Sequence, residues 1–122
     1  MELNFKKLNG LIPAVIQNYK TNKVLMVGFM NKEAYSKTLE TKKVWYYSRT
    51  RKKLWMKGET SGNIQKVKEI LVDCDNDTLL IKVEQVGNAS CHEGYESCFF
   101  KDIKGKIKDK KIFDPKKVYN AK

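Results

Sequence analysis

Apolar and polar positions along the 122-residue chain change rhythm several times, and the changes predict mostly short strands. The run KVLMVGFM, Lys23 to Met30, is apolar almost throughout and predicts a buried strand. Asn31 follows it and can cap a helix over KEAYSKTLETK, where Ala34, Tyr35, Thr38 and Leu39 form a weak apolar face. VWYYS, Val44 to Ser48, is aromatic-rich and predicts a strand. RTRKK reads as a basic turn leading into LWMKG, and GETSGN as an exposed loop. IQKVKEILV alternates only in part and fits either strand or helix. TLLIKVEQV, Thr78 to Val86, is a clearer strand bounded by DND and GNAS, and SCFFKDIK predicts another. One helix among short strands gives a β-rich α+β class with a curled sheet. Periodicity alone leaves the strand order open.

Composition narrows the class. A hydrophobic share of 41% over 122 residues is enough for one compact domain. No apolar run approaches the roughly 18 residues of a spanning helix, so no membrane partner is expected. The patch Leu11 to Ile16 is broken by Pro13 and followed by no small-residue cleavage site, which argues against a signal peptide. Three cysteines are an odd number, so a closed disulfide framework is not expected; reduced thiols and a cytoplasmic location are.

The net charge of +11 is unevenly spread. Lys101 to Lys122 hold nine lysines against three aspartates. This tail reads as a solvated surface, a nucleic-acid contact or a lure for a phosphorylated small molecule. Its only aromatics are Phe113 and Tyr119, so no base-stacking platform is evident and nucleic acid is not the expected partner.

VDCDNDT, Val72 to Thr78, is the first stretch with chemistry in it. Asp73, Asp75, Asp77 and Glu84 fall at the first, third, fifth and twelfth places of a calcium-loop template. The template needs glycine where Thr78 stands, and a strand rather than a helix follows. If the segment is extended, alternation puts the three carboxylates on one side and Cys74 on the other. Three carboxylates together would suit magnesium; a solvated acidic turn is the plainer reading.

Cys91 and Cys98 lie in ASCHEGYESCFF, beside the single histidine, His92. No pair has CxxC spacing. Free cysteines are commonly small buried hydrophobes. Three thiolates without a fourth protein ligand would instead describe zinc with one open position, where water can be activated. His92 would then be placed to move protons, against the alternative of a purely structural histidine. The stretch YYSRTRKKLWMKGETSGN gathers Ser48, Arg49, Arg51, Lys52, Lys53, Lys57, Thr60 and Ser61 around two tight loops. Arginine forks suit phosphate, and Gly58 and Gly62 let backbone N–H groups approach an anion.

VLMVGFMNKEA, SRTRKKLWMKGETSGN, DCDND and CHEGYESCFF, in this order, resemble the stand-alone phosphoribosyl-AMP cyclohydrolases of histidine biosynthesis. The resemblance runs from Gly10 to Lys104. It implies a pseudobarrel built from a folded-over mixed sheet, in a single cyclohydrolase domain with a Lys-rich extension from about Gly105. It implies one Zn2+ per subunit on Cys74, Cys91 and Cys98, and one Mg2+ per subunit on Asp73, Asp75 and Asp77. The zinc site would be shared across a homodimer interface. The implied reaction uses zinc-activated water to hydrolyse the N1–C6 bond of the adenine ring of phosphoribosyl-AMP, giving phosphoribosylformimino-AICAR-phosphate. His92 would carry the proton. Ser48, Arg49, Arg51, Lys57, Glu59, Thr60 and Ser61 would hold the phosphorylated nucleotide. Glu93 and Glu96 depart from the family pattern, and Glu96 removes a possible phosphate partner. A closed, non-enzymatic zinc module that binds nucleic acid through the basic tail is the competing class. It would show a steep salt dependence of binding.

Overall fold

The computed structural model describes residues 2–119. Strands β1 (Ile12–Asn18) and β2 (Val24–Met30) form a hairpin, followed by helix α1 (Lys32–Thr41). A second hairpin, β3 (Trp45–Ser48) and β4 (Lys53–Met56), precedes β5 (Gln65–Val72) and β6 (Leu79–Gln85). A short helix α2 (Pro115–Tyr119) closes the described chain. The main sheet runs β2-β1-β6-β5, and β3-β4 is a separate two-stranded sheet. β1 and β6 are parallel and the other pairs antiparallel, so the sheet is mixed as expected.

The folded-over, curled pseudobarrel does not occur. Closure requires every strand to be paired on both sides. Here β2 and β5 are free edges at opposite ends of an open four-stranded sheet. The β3–β4 hairpin approaches β5 only through the isolated Lys43–Lys66 bridge and bonds such as Val44 N–H to Gln65 O, 3.1 Å. Two further expectations change. Ser97 to Lys104 is irregular, with one isolated bridge from Lys101 to Ile107, because Asp102 Oδ1 accepts the N–H groups of Lys104 and Lys106 and bends the chain there. The patch Leu11 to Ile16 is not a bare apolar interruption but the core of β1. Pro13 is tolerated because it pairs only with Phe29 of β2, while the β6 ladder begins one residue later at Ala14.

The core follows from alternation. Ile12, Ala14 and Ile16 of β1 and Leu79, Ile81 and Val83 of β6 are all fully buried. Their register, Ala14 opposite Leu79 and Ile16 opposite Ile81, places them on one face. α1 begins as expected, with Asn31 Oδ1 accepting the Ala34 N–H at 2.8 Å. It ends at Lys42 in the left-handed region, whose N–H donates to Thr38 O. Ala34 and Thr38 are buried, whereas Leu39 is half exposed. Thr38 is tolerated inside because its hydroxyl donates to Ala34 O and accepts the Trp45 N–H. Tyr46 is buried between the layers; its hydroxyl donates to Gln65 Oε1, Gln65 Nε2 donates to Gln85 Oε1, and Gln85 Nε2 donates to Asn63 O. This buried polar chain ties the sheet to the loop after β4. Among the described residues no helix is long and apolar enough to cross a membrane.

Candidate functional site

The β3–β4 hairpin and the turn after it form one wall of a cleft of about 450 Å³. Ser48 ends β3, and its Oγ accepts the Arg51 N–H at 3.2 Å, holding the basic turn. Trp55 of β4 stacks on Tyr46 with centroids 4.7 Å apart, which fixes the hairpin against the core. Ser48, Arg51, Lys57, Glu59, Thr60 and Ser61 all line the cleft, together with His92. Arg49 does not: its guanidinium lies over the Phe29 ring, 4.1 Å from the centroid. Lys53, Trp55, Met56 and Gly58 complete the lining. Met56 gave no chemical signal in the sequence; it is there because β4 places it opposite Trp45.

The loop after the hairpin is shaped by backbone. Gly62 N–H donates to Gly58 O at 2.7 Å, so it is spent within the turn rather than offered to an anion. Gly58 has φ +90, and a Cβ there would collide with the backbone of Asn63 and Ile64. Gly58→Ala is therefore expected to destabilise the protein by about 1–3 kcal/mol and to weaken substrate binding. Thermal unfolding and a KM measurement check this; an unchanged melting temperature would show that the loop relaxes without cost.

His92 reaches the cleft from a tight turn. Cys91 N–H donates to Tyr95 O at 3.0 Å and Gly94 N–H to Cys91 O at 2.9 Å, leaving His92 exposed at the tip. Tyr95 stacks on Phe100 with centroids 3.8 Å apart and nearly parallel rings. The lysine-rich segment packs onto the same turn: Ile112 N–H donates to Gly94 O, and Tyr95 pairs with Lys111. Glu96 does not face the cleft. Its carboxylate accepts from Lys23 Nζ at 3.1 Å, and Lys23 also reaches Asp109 at 3.2 Å. The last residues of the tail, 120–122, lie outside the described residues.

Cys98 is pinned to β2 by its N–H to Leu25 O, 2.7 Å. Its side chain neighbours that of Cys91. The Cys98 residue as a whole is exposed, but the surroundings of its sulfur push the thiol up to about 11, first through burial and then through the neighbouring Cys91. Lys57 lies close to both thiols; burial lowers its ammonium pKa, and the thiols oppose that shift. A thiol pair at the cleft suits a soft ion such as zinc. Cys74 is not grouped with them. It is exposed on the acidic turn, with Sγ 3.9 Å from Asp75 Oδ1.

That turn is not extended, so alternation is not what gathers its carboxylates. Asp73 Oδ1 accepts the N–H groups of Asp77 and Thr78, at 3.0 and 3.2 Å, and Asn76 takes a left-handed conformation. The turn brings ligand atoms of Asp73, Asp75 and Asp77 within 4.8 Å of one another, the one such group among the described residues. An all-oxygen donor set suits a hard cation. A cation already points into it: Lys7 Nζ lies 2.9 Å from Asp75 Oδ2 and 2.8 Å from Asp77 Oδ2. Lys7 holds Asp75 down to about 2, helped by Asp73, and is itself raised by Asp77 and Asp75.

A family model described as phosphoribosyl-AMP cyclohydrolase matches residues 26–100. A phosphoribosyl-AMP cyclohydrolase of Desulfatibacillum aliphaticivorans is 56% identical over 122 residues, 98% of each chain. One from Desulforapulum autotrophicum is 57% identical over 123 residues, again 98% of each. One from Clostridium botulinum is 60% identical over 101 residues, 83% of this chain and 92% of that protein.

Proposed function

The chain belongs to the phosphoribosyl-AMP cyclohydrolase family, and on that premise we propose that it opens the adenine ring of phosphoribosyl-AMP at N1–C6. The observation that carries this reading is the cleft itself, where His92, three cationic side chains and the Ser61-containing loop converge beside the Cys91–Cys98 pair.

Cys91 and Cys98, with Cys74 supplied by a second subunit, would hold zinc. Two observations favour a shared site. Cys74 stands apart from the other two thiols within one chain, and exposed apolar side chains, Leu71 and Phe99, lie near each half. Bound zinc would supply the Lewis acidity that brings the pKa of a water near neutrality. Asp73, Asp75 and Asp77 would hold magnesium. Arg51, Lys53 and Lys57 would neutralise the two ribose phosphates, and Thr60 and Ser61 would donate hydroxyls to them. Trp55 presents an aromatic wall beside the ring. His92 would take a proton from the attacking water and return it to N1. In the balanced step a C6–O bond forms, N1–C6 breaks, N1 gains the proton, and C6 keeps its exocyclic nitrogen as a carboxamide. The product is phosphoribosylformimino-AICAR-phosphate. The lysine-rich segment from about Gly105 would belong to this single domain, a reading supported by the Tyr95–Lys111 bridge to the Cys91 turn.

The test is a turnover assay with phosphoribosyl-AMP and Mg²⁺, followed by the ultraviolet change on ring opening. Turnover lost on removal of either metal supports the two-metal reading. No ring opening by zinc-loaded protein overturns the proposal.

A further inference from the structure

Lys7 lies outside the stretch matched by the family model and reaches the acidic turn from 68 residues earlier in the chain. Its position is built rather than accidental. Phe5 is buried in the main core and packs on Tyr35, with ring centroids 6.4 Å apart. Asn4 N–H donates to Asn76 O at 2.6 Å, joining the N-terminal segment to the acidic turn. Gly10 N–H donates to Phe5 O at 2.7 Å and closes the loop that carries Lys7. The ammonium is thereby held over the triad, donating to Asp75 Oδ2 at 2.9 Å and Asp77 Oδ2 at 2.8 Å.

Magnesium binds oxygen ligands at about 2.0–2.1 Å and demands nearly regular octahedral geometry. An ammonium hydrogen-bonded to two of the three carboxylates covers the lone pairs such an ion needs. The two cations also repel each other across the same small space. Because Lys7 is tethered, its local concentration does not fall when the protein is diluted.

We propose that Lys7 is a tethered competitor for the acidic site, so that a divalent ion binds Asp73, Asp75 and Asp77 only by displacing the Lys7 ammonium. Lys7 then sets the affinity of the site for divalent ions, and it keeps the clustered carboxylates neutralised when no ion is bound. The inference rests on the reading of the triad as a divalent-ion site.

The experiment titrates Mn²⁺ into metal-free wild type, Lys7→Met, Lys7→Arg and Asp75→Asn, following free Mn²⁺ by electron paramagnetic resonance. Lys7→Met is expected to bind about three- to tenfold more tightly, the scale of two exposed ion pairs. Lys7→Arg keeps the charge and should stay near wild type, while Asp75→Asn should lose the ion. Binding by Lys7→Met that equals or falls below wild type, with Asp75→Asn still deficient, overturns the role of Lys7 and leaves the triad reading intact. No Mn²⁺ bound by either wild type or Lys7→Met overturns both.

Discussion

Replacing Cys98 by serine is expected to remove zinc and turnover together, reducing ring opening to the background rate. The backbone of Cys98 is fixed by its N–H to Leu25 O, and its sulfur neighbours Cys91 and Lys57, the latter a cleft-lining residue like His92. A serine hydroxyl occupies the same place but ionises far above neutral pH and is a poor partner for a soft ion. The folded chain should survive, since Cys98 is exposed and lies outside both hydrophobic clusters. Metal-free wild type and metal-free Cys98→Ser should therefore differ by no more than about 1 kcal/mol in unfolding. Zinc content by atomic absorption, read beside turnover on the same sample, checks the prediction. Full turnover with no bound zinc would rule out the zinc mechanism. The raised thiol pKa adds a sign: without metal Cys98 is protonated at neutral pH, so zinc must displace a proton and its affinity should rise with pH.

The elements legible in the sequence were those specified by neighbours along the chain. Asn31 declares the helix start because a cap acts within three residues, and β2, β3 and β6 declare themselves through apolar or aromatic runs. β1 was hidden by Pro13, whose usual meaning is a break. Only the late start of the β6 ladder makes it harmless, and that is a long-range fact. Openness of the sheet is of the same kind, because it depends on β2 and β5 not meeting. In the site, the cleft residues from Ser48 to Ser61 were legible because one hairpin and one turn carry almost all of them. The placement of Arg49 over the Phe29 face was not legible, because it depends on a distant strand. The acidic triad was grouped for the wrong reason: an aspartate-capped turn, not strand alternation, brings the carboxylates together. Lys7 carried no local signal, and only the folded chain sets it beside Asp75 and Asp77.

His92→Ala is expected to lower turnover by about 10²–10⁴-fold while leaving zinc content unchanged, the loss typical of a missing acid–base group. The argument is geometric. His92 follows Cys91 directly and lines the cleft from the tip of a turn closed by Gly94 N–H to Cys91 O, which on the proposed reading would set the imidazole beside the water to be activated. The side chain is exposed, so its removal leaves no core cavity, and the melting temperature should hold. Substrate affinity should change little, because the proposal assigns the phosphates to the cleft's cations and not to His92. A drop confined to kcat therefore separates proton transfer from binding. Added imidazole should restore part of the rate if the lost group moved a proton, and should do nothing if His92 only shaped the turn. Loss of zinc in His92→Ala would make His92 a ligand, and the open position expected at a catalytic zinc would then be filled. Unchanged kcat with zinc retained would remove His92 from the chemistry and leave Lys53, Lys57 and Glu59 as the cleft-lining groups able to take its place.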